Sequence, residues 1–283
     1  MLITEFHQFY KKKGLNLEVI KTFQSIILSY FRQYGRDFPF RKDITPYNVL
    51  VSELMLQQTQ TNTVSDKFKE FIKKFPDFKS LDNAPLNEIL KLWQGLGYNR
   101  RAIALKNIAQ RVNEYNGILP ADVEILKSFP QIGHNTASSI VAFAFNIPTF
   151  FIEVNIRRVF IYFFFPGKAL VDDKDIMPLV RKTLDTANVR NWYYALMDYG
   201  VMLKKTHPEL TKRSAHYRKQ SKFKGSNREI RGKVLKLLIE RKLLTESEIL
   251  RNLNIESKKV GFILNQLTRE GFIDGNKDGY FIA

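Results

Sequence analysis

Two acidic side chains stand among neighbours that do not suit an acid. Glu53 lies in Val51-Ser52-Glu53-Leu54-Met55. A carboxyl group there is either a tolerated surface residue or, if buried, an acid whose raised pKa lets it donate a proton near neutral pH. Glu153 follows the apolar pair Phe151-Ile152 and precedes Val154-Asn155-Ile156-Arg157-Arg158. That order places one carboxylate at a helix N-terminus. There it either faces a ligand held by the neighbouring turn or merely caps the helix.

Other residues are suited to gripping a polyanion. Gln57 and Gln58 can hydrogen-bond base edges or fill a gap in stacked bases. Tyr98 closes the Gly95-Leu96-Gly97 loop as a structural aromatic or as a wedge for a base stack. Phe129-Pro130-Gln131-Ile132-Gly133-His134-Asn135-Thr136-Ala137 reads as helix, tight turn, helix opening at about His134. Backbone N–H groups at such a turn hold a phosphate without reading sequence. The alternative is an ordinary helix–helix turn.

Composition narrows the partner. Lys and Arg number 45 against 28 Asp and Glu, a net charge of +17. That surplus argues for a polyanion, most simply nucleic acid. Cysteine is absent, which excludes disulfides, thiolate nucleophiles and cysteine-held zinc or iron–sulfur clusters. His7, His134, His207 and His216 have no paired metal spacing, so no metal is expected. No targeting signal is visible, and the apolar run Ser139–Ile152 is broken by Asn146 and Pro148. A soluble, cytoplasmic protein is expected.

The elements that must position these residues are helical. Val19, Ile20, Phe23, Ile26, Ile27, Tyr30 and Phe31 form one apolar stripe at i, i+3/i+4 spacing. Similar runs lie around Val51–Phe71, Leu105–Val112, Ile140–Ala144, Ile156–Phe160 and Leu196–Val201. Nothing before Gly225 alternates like a strand, so an all-α body is expected. The stretch 204–228 is basic and poor in aliphatics, and reads equally as a solvated linker or a phosphate-contacting strip. Beyond it, Val234–Leu238, a Thr245/Glu248 capping-box signature and Val260–Leu267 mark three helices. Phe272-Ile273-Asp274, the turn Gly275-Asn276-Lys277-Asp278-Gly279 and Tyr280-Phe281-Ile282 mark a hairpin. Three helices and a terminal hairpin look like a winged helix, whose third helix carries Lys258, Lys259 and Arg269.

Taken together, these phrases resemble the helix–hairpin–helix DNA glycosylase superfamily, which includes endonuclease III. From about Asp37 to Leu203 they look most like MutY-type adenine DNA glycosylases. Ser52–Gln60, Ala84–Tyr98 and Ala195–Gly200 carry that likeness. The opening Arg36-Asp37-Phe38-Pro39-Phe40-Arg41 also resembles thymine-mismatch relatives. The resemblance implies a two-lobed helical fold with a C-terminal winged helix. Its expected division is a terminal lobe of 1–46 and 146–225, a barrel lobe of 47–145 with its hairpin at 129–137, and a winged helix at 226–283. It implies base flipping and cleavage of an N-glycosidic bond. Carried across residue by residue, Glu53 matches the acid that protonates adenine, and Glu153 the aspartate that stabilises the sugar cation. Asn155 matches a nearby asparagine, while Gln57 and Tyr98 match residues that probe or fill the stack. Gln58, Gln131, Gly133, Asn135, Thr136 and Arg157 complete the expected DNA contacts.

Four departures qualify the resemblance. Glutamate stands at 153 where the family has aspartate. Asn135 stands where bifunctional relatives carry a lysine, and an amide cannot form a Schiff base, so base removal without strand nicking is expected. The cluster cysteines of many relatives align near Lys204, Thr211, Ser214 and Gln220, so no iron–sulfur cofactor is expected. A winged helix ends the chain where MutY proteins carry a domain for oxidised guanine. Gln131 also replaces a usual hairpin glycine. The expectation is a monomeric, monofunctional glycosylase of base excision repair. It would act on double-stranded DNA, taking adenine opposite guanine or 8-oxoguanine. The alternatives are thymine or uracil opposite guanine, or a non-catalytic winged-helix DNA-binding protein.

Overall fold

The computed structural model describes residues 1–219 and 222–283. Its helices in chain order are α1 (Ile3–Lys13), α2 (Leu17–Tyr34), α3 (Pro46–Leu56), α4 (Thr61–Lys74), α5 (Phe78–Asp82), α6 (Leu86–Trp93), α7 (Arg100–Val112), α8 (Val123–Lys127), α9 (His134–Phe145), α10 (Val154–Phe164), α11 (Asp173–Thr183), α12 (Val189–Thr206), α13 (Asn227–Arg241), α14 (Glu246–Leu253) and α15 (Ser257–Arg269). A hairpin of β1 (Ile273–Asn276) and β2 (Gly279–Ile282) follows. The all-α body with a small terminal sheet matches the expectation. No helix among the described residues is long and apolar enough to cross a membrane.

The chain gathers into two compact units. The first comprises Met1–Ile44, Ala121–Lys127 and Ile132–Lys219, and the second Thr45–Pro120, Ser128–Gln131 and Gln220–Ala283. The expected division at 146 differs from this one. Helix α9 packs on α8 and on α12, so it clusters with the first unit. The terminal module joins the second unit because α13 packs on α6 and its charges pair with α7.

An aromatic core holds the first unit. Phe23 meets Phe164 at 4.9 Å and Trp192 at 5.7 Å between ring centroids, and Phe6 meets Phe163 edge-on at 5.1 Å. All five rings are buried, and Phe23 belongs to the apolar stripe of α2. A buried ion-pair cluster ties the opening motif to α12. Asp198 accepts from Arg36 N at 2.7 Å, Arg36 Nε at 2.7 Å and Arg41 Nη1 at 2.9 Å. The Arg41 guanidinium also lies 4.3 Å from the Tyr194 ring centroid.

The segment after α12 is fixed by main-chain and guanidinium bonds. Val171 N donates to Arg213 O at 2.8 Å, and Ala215 N to Val171 O at 2.9 Å. Arg213 donates to the carbonyls of Lys168 and Phe165. Of the positions aligned with the cluster cysteines, Lys204 is exposed on α12 and Ser214 is buried. Thr211 Oγ1 accepts from Arg158 Nε at 2.8 Å. Gln220 lies outside the described residues.

In the second unit, α3 is buried along most of its length, with Leu54 and Met55 inaccessible. The terminal module forms as its pattern predicts. Thr245 Oγ1 accepts from Glu248 N, and Glu248 Oε2 accepts from Thr245 N at 2.8 Å, closing the capping box. The strands pair Ile273 with Ile282 and Asn276 with Gly279. They therefore extend into the expected turn. Asn276 Oδ1 accepts from Asp278 N and Gly279 N and tightens the connection to two residues.

Candidate active site

The first unit collects one set of expected residues around the start of α10. Glu153 is the N-cap, and its Oε1 accepts from Asn155 N at 2.8 Å and Ile156 N at 2.9 Å. Its Oε2 accepts from Asn155 Nδ2 at 3.1 Å. Asn155 Oδ1 in turn accepts from Arg158 Nη1 at 2.6 Å. Glu153 is thus a helix cap with both oxygens engaged. Burial pushes its carboxyl above the ordinary range, while the two backbone donors, Arg158 and Arg157 pull the other way.

Asn135 lies beside this cluster and donates from Nδ2 to Ile152 O at 2.9 Å. It stands in the first turn of α9 with half-buried Thr136, after the exposed N-cap Gly133. A glycine there supplies no side chain to cap the helix, which leaves the capping of its first N–H groups to other partners. Arg157, expected as a DNA contact, forms a fork with Asp173, with both N···O distances 2.6 Å. Two of its three guanidinium nitrogens thus serve the unit's internal network.

The second unit collects the other set. Glu53 is half-buried on the last turns of α3, between inaccessible neighbours. Gln57 follows that helix, and its Nε2 donates to Gln131 O at 3.2 Å. Gln58, Tyr98 and Gln131 share a property the sequence did not disclose, since all three have left-handed backbone, with φ of 55°, 47° and 59°. The other non-glycine residues with positive φ among the described residues are Asn116, Asn146, Asn254 and Lys242. Asparagine tolerates that region, whereas glutamine and tyrosine adopt it at a cost of about 1–2 kcal/mol each. All three strained residues line one cavity of about 1150 Å³. Strain gathered around one cavity is a mark of a functional site.

Arg101 builds that cavity wall, and sequence reasoning missed it. Its side chain is almost inaccessible. Nη1 donates to the carbonyls of Leu54 at 2.8 Å, Met55 at 2.9 Å and Gln57 at 2.5 Å. Nη2 donates to Leu96 O at 3.0 Å, Gly97 O at 2.7 Å and Thr59 Oγ1 at 3.1 Å. One guanidinium therefore joins the end of α3 to the loop before Tyr98, whose Gly95 and Gly97 also turn left-handed. Burial lowers its pKa to about 10, so it remains charged at neutral pH. An arginine inside the apolar pattern of α7 was the one available sign.

Residues 51–182 match the model of the HhH-GPD superfamily base excision DNA repair proteins. That segment holds every candidate residue from Glu53 to Arg157. It is 34% identical over 187 residues to an adenine DNA glycosylase of Buchnera aphidicola subsp. Baizongia pistaciae, covering 64% of this chain and 52% of that protein. It is 37% identical over 150 residues to the mouse adenine DNA glycosylase, covering 50% and 29%. The chain thus spans about half of the bacterial relative and less than a third of the mouse one. A thermostable thymine-DNA glycosylase structure superposes with a TM-score of 0.57 at 27% identity, covering 65% of this chain and 86% of that one. An endonuclease III–DNA complex does so with a TM-score of 0.53 at 17% identity, over 68% and 87%, a likeness of fold alone.

Proposed function

We propose that the chain is a monofunctional DNA glycosylase that removes adenine from mispaired duplex DNA in base excision repair. The observation that carries this reading is the identity to adenine DNA glycosylases, together with the family match spanning every candidate site residue. The strained cavity, which neither carboxylate lines, supports the DNA-gripping part of this reading. In this reaction the duplex is bent and the target nucleotide leaves the stack. Glu53 donates a proton to a ring nitrogen of the flipped base. The C1′–N bond then breaks and its electron pair leaves with the base. Glu153, ionised, offsets the positive charge on the sugar until water adds to C1′ and loses a proton. Asn155 holds Glu153 in place, and Asn135 offers no amine, so the strand is left unbroken.

Gln57, Gln58, Tyr98 and Gln131 hold the distorted duplex around the gap. Gly133, Asn135 and Thr136 open the helix that takes a phosphate. The enzyme acts as a monomer in the compartment holding the DNA. It needs no iron–sulfur cluster, because no cysteine is present to bind one and main-chain bonds hold the segment after α12.

A second reading is excision of thymine or uracil opposite guanine, favoured by the 27% identity to the thymine-DNA glycosylase structure. One experiment separates the two. The protein is incubated with duplexes carrying A:G, A:8-oxoguanine, T:G and U:G pairs, followed by alkali to cleave abasic sites. Alkali-dependent cleavage of the adenine strands alone is expected. Cleavage confined to T:G and U:G contradicts the adenine assignment, and no cleavage anywhere contradicts the enzyme assignment.

A further inference from the structure

We propose that α13, the first helix of the terminal module, is a wall of the DNA-binding groove and grips a strand of the distorted duplex. This rests on the glycosylase reading above. Winged helices are usually searched for DNA contact on their third helix, here α15. In this chain the end of α15 is used for docking. Glu270 accepts from Arg100 Nε at 2.9 Å and Nη2 at 2.6 Å, and from Arg231 Nη2 at 2.5 Å. One carboxylate thus clamps α13 to the start of α7.

That clamp sets α13 against the Tyr98 loop. Arg228, one turn before Arg231, donates from Nη1 to Tyr98 Oη at 2.5 Å. The cavity of about 1150 Å³ lies between this helix and the strained residues Gln58, Tyr98 and Gln131. Arg228, Lys233 and Lys236 of α13 line it on one side, and Glu229, 2.8 Å from the Lys233 ammonium, is the single carboxylate lining it among the described residues. Cations on one side and amide side chains on the other suit a phosphate backbone carrying an unstacked base. Lys258, Lys259 and Arg269 of α15 are not among the lining residues.

Gly232 is the second, independent observation. It sits inside α13 and lines the cavity, yet a Cβ built there meets nothing within 4 Å. Glycine within a helix is disfavoured relative to alanine, and no packing neighbour demands one here. A helix surface without a side chain, placed among phosphate-binding cations, admits close approach of a strand.

The test uses the full chain and a duplex containing a tetrahydrofuran abasic-site analogue, read by fluorescence anisotropy over a range of salt concentrations. K233E/K236E is expected to weaken binding at least tenfold and to reduce the salt slope by about two. K258E/K259E is expected to stay within twofold of the wild type. G232Q is expected to weaken binding while melting at or above the wild-type temperature, because glutamine is the better helix former. Wild-type affinity in K233E/K236E or in G232Q overturns the proposal, as does an equal loss in K258E/K259E. Binding that depends on α13 without any base release contradicts only the glycosylase reading. Base release together with α13-independent binding contradicts only this proposal.

Discussion

The Arg101 guanidinium donates to the main-chain carbonyl of Gln57 at 2.5 Å, and the same group reaches back to Leu54 and forward to Gly97. A buried charge without a carboxylate partner normally destabilises a fold. Here its hydrogen bonds to carbonyls offset part of that cost, and it joins the helix bearing Glu53 to the loop bearing Tyr98. R101M should leave those buried carbonyls unsatisfied and lower stability by about 3–5 kcal/mol in urea unfolding. R101K keeps the charge without the fork. It should retain the fold and slow base release by on the order of a hundredfold through misplacement of the site. A fully active R101K would contradict the positioning role.

Gln131 stands at φ 59°, at the hairpin position where the family resemblance implies a glycine. Relief of left-handed strain and the greater entropy of an unfolded glycine oppose each other. Q131G should therefore fall between neutral and about 1 kcal/mol more stable, measured by denaturant midpoint. Q131V, with a branched Cβ in the same conformation, should lose about 2 kcal/mol or more. Equal stability of the two variants would show that the turn relaxes away from this geometry.

Gly200 of α12 lies against Asn155 so closely that an added Cβ would overlap the Asn155 carbonyl oxygen and side chain. G200A must separate α10 from α12 or move Asn155, and overpacking of this kind costs about 3 kcal/mol. Because Asn155 donates to Glu153, base release should fall even at temperatures where G200A remains folded. Unchanged single-turnover rates would remove Asn155 from the account.

Much of this architecture is readable locally. The Thr245/Glu248 box, the start of α9 at His134 and the buried faces of α2 and α15 follow from capping and periodicity within a few residues. What escaped sequence reading is long-range. Nothing local pairs Arg36 and Arg41 with Asp198, or sends the Arg101 guanidinium to carbonyls 47 to 4 positions before it. The division of the chain escaped for the same reason. Helix α9 has an apolar surface that periodicity identifies, yet only tertiary packing assigns that surface to α8 and α12. The left-handed glutamines were invisible because neither residue type signals that conformation. The family's glycine at 131 was the single pointer.

The raised pKa of Glu153 has a definite sign for stability. A carboxyl group that ionises later in the folded chain than in the unfolded one carries no penalty below the unfolded pKa. It loses stability as pH rises through the folded pKa, and the loss is constant above that. Between pH 4 and pH 8 the wild type should therefore lose melting temperature relative to E153Q. Base release should decline on the acid side with a midpoint above the ordinary carboxylate range, because the ionised form serves the reaction. A difference between wild type and E153Q that does not vary with pH would contradict the burial of this charge.

The central claim is that Glu53 is the proton donor for base release. The most direct measurement compares E53Q with the wild type in single-turnover excision of adenine opposite 8-oxoguanine, alongside affinity for the abasic-analogue duplex. The account predicts loss of at least a thousandfold in rate, with affinity held within about threefold. Excision near the wild-type rate, or a loss of binding as large as the loss of rate, would contradict it.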